Sequence, residues 1–445
     1  MKGLRSFAGM LVILIALGAY LYFVESKRPA GGAADKKDKA FSVEASAIDD
    51  ITIKSESGER TTLHKNGTDW QITQPATGKP DASAVSGLTT NLSSLEVQRV
   101  IDENPSDLTE YTLAQPRVEV TFKAGGKDHK LQIGRKTPPG NDLYARIDDQ
   151  KRVVLISSFL DTTFNRTAFD LRDKAVLTVN RDEIGMLAVT TPAGAMKLEK
   201  KDGEWRMAEP VAARADFSAV DGLVNRLTML QMKSIVPPDA GDAKKYGLDK
   251  PAATVALGSG SSQATLAIGT SSGEGAVYAH DLSKPTVVTI DASLLDDLKK
   301  APTEYRQKDL FDARAFNATR LEFVRNGVTT AFEKVKGKNK DGQEQETWKQ
   351  VSPAAKDADQ TKVDSLISAV TQARATTFVD APAKTAMDKP ELTIAITSND
   401  GKRKESVTIG KFAVDIFAVR AGEPGAAKIE ATTLDNIVKA LEELK

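Results

Sequence analysis

Cysteine is absent from this chain of 445 residues, and histidine occurs only as His64, His129 and His280. The first absence excludes disulfides, thiolate nucleophiles, iron–sulfur clusters and cysteine-based zinc sites. The second leaves no His-x3-His spacing on which a metal centre could be built. An excess of either charge is also missing, since 61 Lys+Arg balance 61 Asp+Glu. Without a basic surplus, nucleic acid is not an expected partner. What is present is an ordinary globular balance, 40% hydrophobic and 27% charged. That excludes a disordered, collagenous or multi-span membrane chain. At roughly 100–200 residues per domain, the length predicts two to four domains.

One long apolar run exists, from Phe7 to Val24. At about 1.5 Å per residue it reaches about 27 Å, near the ~30 Å of a bilayer's hydrocarbon core. It leaves through Tyr20, Tyr22 and Phe23 into Glu25, Lys27 and Arg28. Aromatics suit the headgroup interface, and a charged exit is a poor cleavage site. Residues 1–28 are therefore expected to form a membrane anchor, with a cleaved signal peptide as the alternative. Positive charge flanks both ends, so orientation rests on the usual outcome, a short inner tail and a translocated bulk. Residues 29–40, PAGGAADKKDKA, read as a flexible tether.

The remainder is an internal repeat. Phe41, Val43, Ile48, Ile51 and Ile53 match Leu177, Val179, Ile184, Leu187 and Val189 without a gap, and Phe311, Ala313, Ala318, Leu321 and Phe323 repeat the spacing. The chain's three tryptophans then fall at equivalent places. Trp70-Pro75-Asp81, Trp205-Pro210-Asp216 and Trp348-Pro353-Asp359 each obey W-x4-P-x5-D. An apolar stripe at helical offsets follows each Asp, as in Val85, Leu88 and Leu92. Further on come Tyr111-x-Leu113-x2-Pro116, Tyr246-x-Leu248-x2-Pro251 and a weaker Thr385-x-Met387-x2-Pro390. Leu-x-Ile-Gly134, Leu-x-Ile-Gly269 and Val-x-Ile-Gly410 lead to Tyr144-Ala145, Tyr278-Ala279 and Phe417-Ala418. The repeats are placed at 41–176, 177–310 and 311–445.

Each repeat alternates apolar and polar residues over short stretches such as Ile51-Thr-Ile53, which predicts strands. Asn66-Gly67 and Asp202-Gly203 mark hairpin turns. Asp81, Asp216 and Asp359 stand where helix N-caps belong. The expected fold is α+β: an N-terminal transmembrane helix, then three tandem β-rich modules, each with one or two covering helices. The charge run through Lys336–Glu346 reads as a solvated loop, and the Gly after each Leu-x-Ile as a turn residue.

These markers read as structure before chemistry. A Trp fixed beside a Pro, just ahead of a packed helix, is a core or hairpin anchor rather than a sugar-stacking platform. One Asp per repeat, with no second acid at constant spacing, is a cap rather than a catalytic or calcium-binding carboxylate. Tyr144, Tyr278 and Phe417 stay open between core packing and recognition. Arg172-x-Lys174 and Arg306-x-Lys308 recur at repeat exits and are assigned to junctions. Gly258–Ser262 and Gly269–Gly275 lack the Lys-Ser/Thr pair of a phosphate cradle. No nucleophile elbow or paired carboxylate stands out. No catalytic residue, cofactor or metal is expected.

A membrane-anchoring start followed by I-x-I…W-x4-P…D-x3-V-x2-L…Y-x-L-x2-P…L-x-I-G…Y-A units resembles the bacterial domain-of-unknown-function 4340 family, over residues 41–445. The third copy departs at Thr385, Met387 and Phe417. The resemblance implies an extracytoplasmic companion of an ABC-type transporter, single-pass in the inner membrane with its bulk in the periplasm, and brings no catalytic residues. The expected function is a non-enzymatic interaction or scaffold protein for such a transporter. A cell-envelope polysaccharide-binding module is the alternative, and an unrecognised envelope hydrolase comes after it.

Overall fold

The computed structural model describes residues 38–237, 243–259, 262–338, 343–379 and 387–444. The anchor expected at 7–24 lies outside them, as does the tether except for its last three residues. Among the described residues no helix is long and apolar enough to cross a membrane. The chain divides into two compact units, Met1–Lys174 and Ala175–Lys445. It is mostly β, with three antiparallel sheets and few helices.

The first unit builds one sheet from β1 (Ile48–Lys54), β2 (Arg60–Asn66), β3 (Asp69–Gln74), β4 (Arg99–Asp102), β5 (Val118–Ala124), β6 (Lys127–Lys136), β7 (Asp142–Ile147) and β8 (Val153–Ser157). Their order is β3-β2-β1-β5-β6-β7-β8-β4. The opening strand thus lies mid-sheet, with a hairpin on one side and a meander on the other. Between β3 and β4 the chain crosses from one edge to the opposite one, through the helix Ala82–Ser93. Side chains alternate across a strand, so Ile51, Ile53, Leu63, Ile72, Val118, Val120 and Leu131 share the face that helix covers, all fully buried. The helix contributes Val85, Leu88 and Leu92. Each such burial is worth about 1.5–3 kcal/mol against exposure.

The second unit holds two sheets with the same order and one added two-residue edge strand each. One comprises β9 (Met186–Thr191), β10 (Gly194–Lys201), β11 (Glu204–Glu209), β12 (Ala213–Arg214), β13 (Ser234–Ile235), β14 (Ala253–Ser259), β15 (Ser262–Gly273), β16 (Ala276–Asp281) and β17 (Val287–Asp291). The other comprises β18 (Ala318–Arg325), β19 (Val328–Lys338), β20 (Glu344–Ser352), β21 (Lys356–Asp357), β22 (Thr377–Val379), β23 (Leu392–Ser398), β24 (Arg403–Phe412), β25 (Asp415–Arg420) and β26 (Ala426–Ile429). Each sheet has its own apolar core, and the helices Phe217–Thr228 and Gln360–Thr371 take the place of Ala82–Ser93.

Two expectations need correction. The run Lys336–Glu346 is largely strand, because Lys336, Gly337 and Lys338 pair with Glu346, Gln345 and Glu344. Ladder hydrogen bonds belong to the backbone, so a charged hairpin reaching into water forms without an apolar face. Gly134 and Gly269 do not turn the chain either; they sit within β6 and β15. A Cβ on Gly134 would lie 2.0 Å from the Tyr111 carbonyl oxygen, and one on Gly269 would lie 1.9 Å from that of Tyr246. Those carbonyls accept from Arg135 N at 3.2 Å and Thr270 N at 2.8 Å. The Tyr-x-Leu and Ile-Gly motifs are therefore two halves of one contact. Gly134→Ala is expected to destabilise the first unit by about 1–3 kcal/mol through overpacking. Gly87→Ala, on the helix with nothing within 4 Å, should instead stabilise it by about 0.5–1 kcal/mol. Urea midpoints of the two variants would test this, and equal effects would refute the contact.

Candidate functional site

The tryptophan markers share one local plan. Each Trp pairs across the hairpin with a lysine: Lys65 with Trp70, Lys200 with Trp205 and Lys334 with Trp348. Pro75, Pro210 and Pro353 all follow cis peptide bonds. The three aspartates sit at helix N-caps, where Asp81 accepts from Ala84 N at 2.7 Å, Asp216 from Ala219 N at 2.8 Å and Asp359 from Lys362 N at 3.2 Å. Hydrogen bonds from Ser83 and Ala84 hold the Asp81 carboxyl below its ordinary range. These carboxylates are engaged by the backbone of the helix first turn.

Trp205 and Trp348 are each 5% exposed. Trp70 differs. It is half-buried at the edge of the first core and lines a groove of about 710 Å³. The groove is walled by the short 3-10 turn Ala45–Ala47 and by the helix Ala82–Ser93, which presents Ser86, Thr89 and Thr90. Position for position, the second sheet's helix has Asp221, Val224 and Asn225, and the third's has Asp364, Ile367 and Ser368. Val224 and Ile367 belong to their cores. In the second sheet Arg181 occupies the place of Ala45, and its guanidinium donates to Asp221 at 2.7 Å. In the third, Lys334 Nζ lies 5.3 Å above the Trp348 ring. Lys65 Nζ, by contrast, donates to the Ser46 carbonyl oxygen at 3.3 Å, across the groove.

Tyr144, Tyr278 and Phe417 are all half-buried. Tyr144 packs on Tyr111 at 5.0 Å between ring centroids, with Arg135 5.6 Å above it, and Tyr278 packs on Tyr246 at 4.5 Å. Tyr144 and Tyr278 thus cover the Tyr-x-Leu segments that Gly134 and Gly269 admit. The histidines are scattered: His64 bonds Asp50 at 2.7 Å, His129 lies 3.3 Å from Asp148, and His280 bonds the Lys284 carbonyl. Among the described residues no group of three or more His, Asp or Glu is placed to hold a metal ion.

Two features escaped the sequence reading. The first is a buried charge seam joining the two sheets of the unit Ala175–Lys445. Arg214 at the edge of the second sheet reaches Asp312 and Glu423 of the third. Asp312 also pairs with Arg403 and with Arg420, the latter at 3.3 Å. Glu405, buried, accepts from Arg420 and from the backbone N–H groups of Asp312 at 3.0 Å and Ala313 at 2.8 Å. Arg306, noted in the sequence only as part of Arg-x-Lys, stacks 3.9 Å over Phe378 of the third sheet. Arg172 in the first unit instead donates to the Ala76 carbonyl at 3.1 Å.

The second is apolar. Val324, Val328, Val351, Phe412 and Val414 are exposed, Val414 at 86%. Strand register puts them at one end of the third sheet: Val324 opposes Thr393, Val328 opposes Arg325, and Phe412 opposes Asp415 across the β24–β25 turn. The matching β6–β7 turn of the first sheet is Thr137-Pro-Pro-Gly-Asn141, and that of the second is Glu274-Gly275. The first sheet's turn carries two prolines, and only the third sheet puts a phenylalanine and a valine there.

The family model described as "Domain of unknown function (DUF4340)" matches residues 70–204 and 205–394. No curated protein matches the chain. Among solved structures, the DNA polymerase sliding clamp from Pseudomonas aeruginosa aligns at 10% identity over 88% of this chain and 94% of that one, with a TM-score of 0.16. The DNA polymerase III subunit beta of the same organism aligns at 9% identity over 87% and 93%, with a TM-score of 0.15. Likenesses at that level support no argument about fold or partner.

Proposed function

The chain belongs to the family described as a domain of unknown function (DUF4340), and from that premise we propose that it is a non-enzymatic interaction protein of the bacterial cell envelope. In this reading residues 7–24 anchor it in the inner membrane, and the bulk lies outside the cytoplasm as three homologous α+β modules. An ABC-type transporter is the membrane-embedded partner. The uncharged run Phe7–Val24 supports the anchor, and the common strand order supports the three modules.

The observation that carries the docking role is the apolar end of the third sheet. Exposed valines and a phenylalanine gathered at strand tips are costly to leave in water and suit a protein partner's apolar surface. The repeat's other copies put polar residues, glycine, alanine or proline in those turns, so sheet formation does not require valine or phenylalanine there. The chain as a whole carries no net charge, which leaves shape and apolar contact as the basis of recognition. A photo-crosslinking residue at Val414 in the full anchored chain is expected to trap an integral membrane subunit of an ABC-type transporter. Phe412→Asp with Val414→Asp should reduce the complex recovered from intact membranes about tenfold or more, the scale of one lost apolar anchor, with unchanged circular dichroism. Adducts to soluble proteins alone, or a complex indifferent to both charges, would overturn the reading.

A further inference from the structure

We propose that the Trp70 groove is a glycan-binding subsite in which one pyranose ring stacks on the indole. The proposal concerns the first unit alone and does not rest on the docking role given to the third sheet. Its basis is one structural position seen three times. Trp205 and Trp348 are sealed into their cores, whereas Trp70 faces a groove of about 710 Å³. That volume lies within the ~300–1,000 Å³ usual for ligand sites. Three exchanges accompany the opening: Thr89 for Val224, Ser86 for Asp221, and Ala45 for Arg181, the last two forming an ion pair in the second sheet. The exchanges at positions 45 and 86 remove bulk and charge, and Ser86 leaves an exposed hydroxyl behind. Thr89 trades a methyl for a hydroxyl that donates to the Ser86 carbonyl at 3.2 Å.

An occupant has to cover an aromatic face and satisfy hydroxyl groups together. A purely apolar ligand would strip water from the exposed hydroxyls of Ser46, Ser86 and Thr90 without replacing its hydrogen bonds. A bare anion would leave the indole wet. A pyranose ring presents C–H bonds on its flat face and hydroxyls that donate and accept around its rim, so it answers both. Charge adds no demand of its own, because Lys65 and Lys79 share the rim with Asp69, and Lys79 is paired with Asp173 at 3.1 Å.

The full-length chain, held in a detergent without a sugar headgroup, would be titrated calorimetrically with a tetramer of N-acetylglucosamine and with one of galacturonate. The neutral tetramer is expected to bind. Trp70→Ala should weaken that binding about tenfold, the size of one aromatic contact. The triple variant A45R/S86D/T89V refills the groove with the second sheet's own residues. It should lose binding to the same extent while melting no lower than the parent, which separates a filled groove from a broken fold. Binding of the galacturonate tetramer, lost in both variants, would support an acidic glycan in the same subsite. Failure of both tetramers to bind, or affinity that survives in the triple variant, would overturn the proposal.

Discussion

Replacing Glu405 by alanine is expected to cost the unit Ala175–Lys445 about 3–5 kcal/mol, because it takes a buried carboxylate out of a charge network and leaves two backbone N–H groups without their acceptor. The Glu405 carboxylate receives Arg420 and two backbone N–H groups. Arg420 keeps Asp312 and Glu423 as partners, so the loss falls mainly on the two backbone N–H groups left without an acceptor. Urea unfolding should show the loss as a lower midpoint at constant slope, and a cost below about 1 kcal/mol would mean that the seam is hydrated. Acid attacks the same seam. Burial pushes the Asp312 carboxyl up, but Arg214 and Arg420 outweigh it and hold it below the ordinary carboxylate range. A carboxyl depressed on folding contributes stability that is complete above its unfolded value, about 4, and is lost as pH falls through the folded value. Melting temperature should therefore fall below about pH 4, and less steeply in Asp312→Asn.

The second large effect separates the tryptophans. Trp205→Ala and Trp348→Ala each remove a buried indole and should cost about 3–5 kcal/mol. Trp70→Ala removes a half-exposed ring and should cost the first unit nearer about 1 kcal/mol. Hydrogen exchange resolved by segment would read each cost in its own sheet, since contacts in tandem repeats run mainly between neighbours. An equal cost at all three positions would mean that the groove beside Trp70 is closed in solution.

Much of this architecture was legible in the residues. The W-x4-P-x5-D spacing locates the hairpin edge and helix start of every sheet, because a cap and a core stripe leave periodic marks. Strand β4 left no such mark, since Arg99–Asp102 is four residues long and carries charge at both ends. The charged hairpin of the third sheet carries no strand signal in its residues, because a backbone ladder needs no apolar alternation. The seam was invisible for a different reason. Arg214 and Glu423 meet across 209 positions of sequence, and a charge gives no sign of its partner when neither recurs in the other copies. The opening at Trp70 was written in the sequence, as Thr89 against Val224 and Ile367, but it has meaning only once those positions are known to face the ring.

The mid-sheet place of each opening strand also sets a schedule. β1 can pair with β2 as soon as both exist, yet its other neighbour waits for Phe122 to meet Ile51. In the third sheet Leu321 waits likewise for Ile396. During synthesis, which proceeds from the N-terminus, each growing sheet therefore carries an unpaired strand edge until most of its repeat has emerged. Such an edge accepts any complementary strand, including the same strand of another nascent copy. The interval before β5, β14 or β23 arrives is when this chain is most open to swapped or aggregated products, and slowing elongation there would lengthen it three times over.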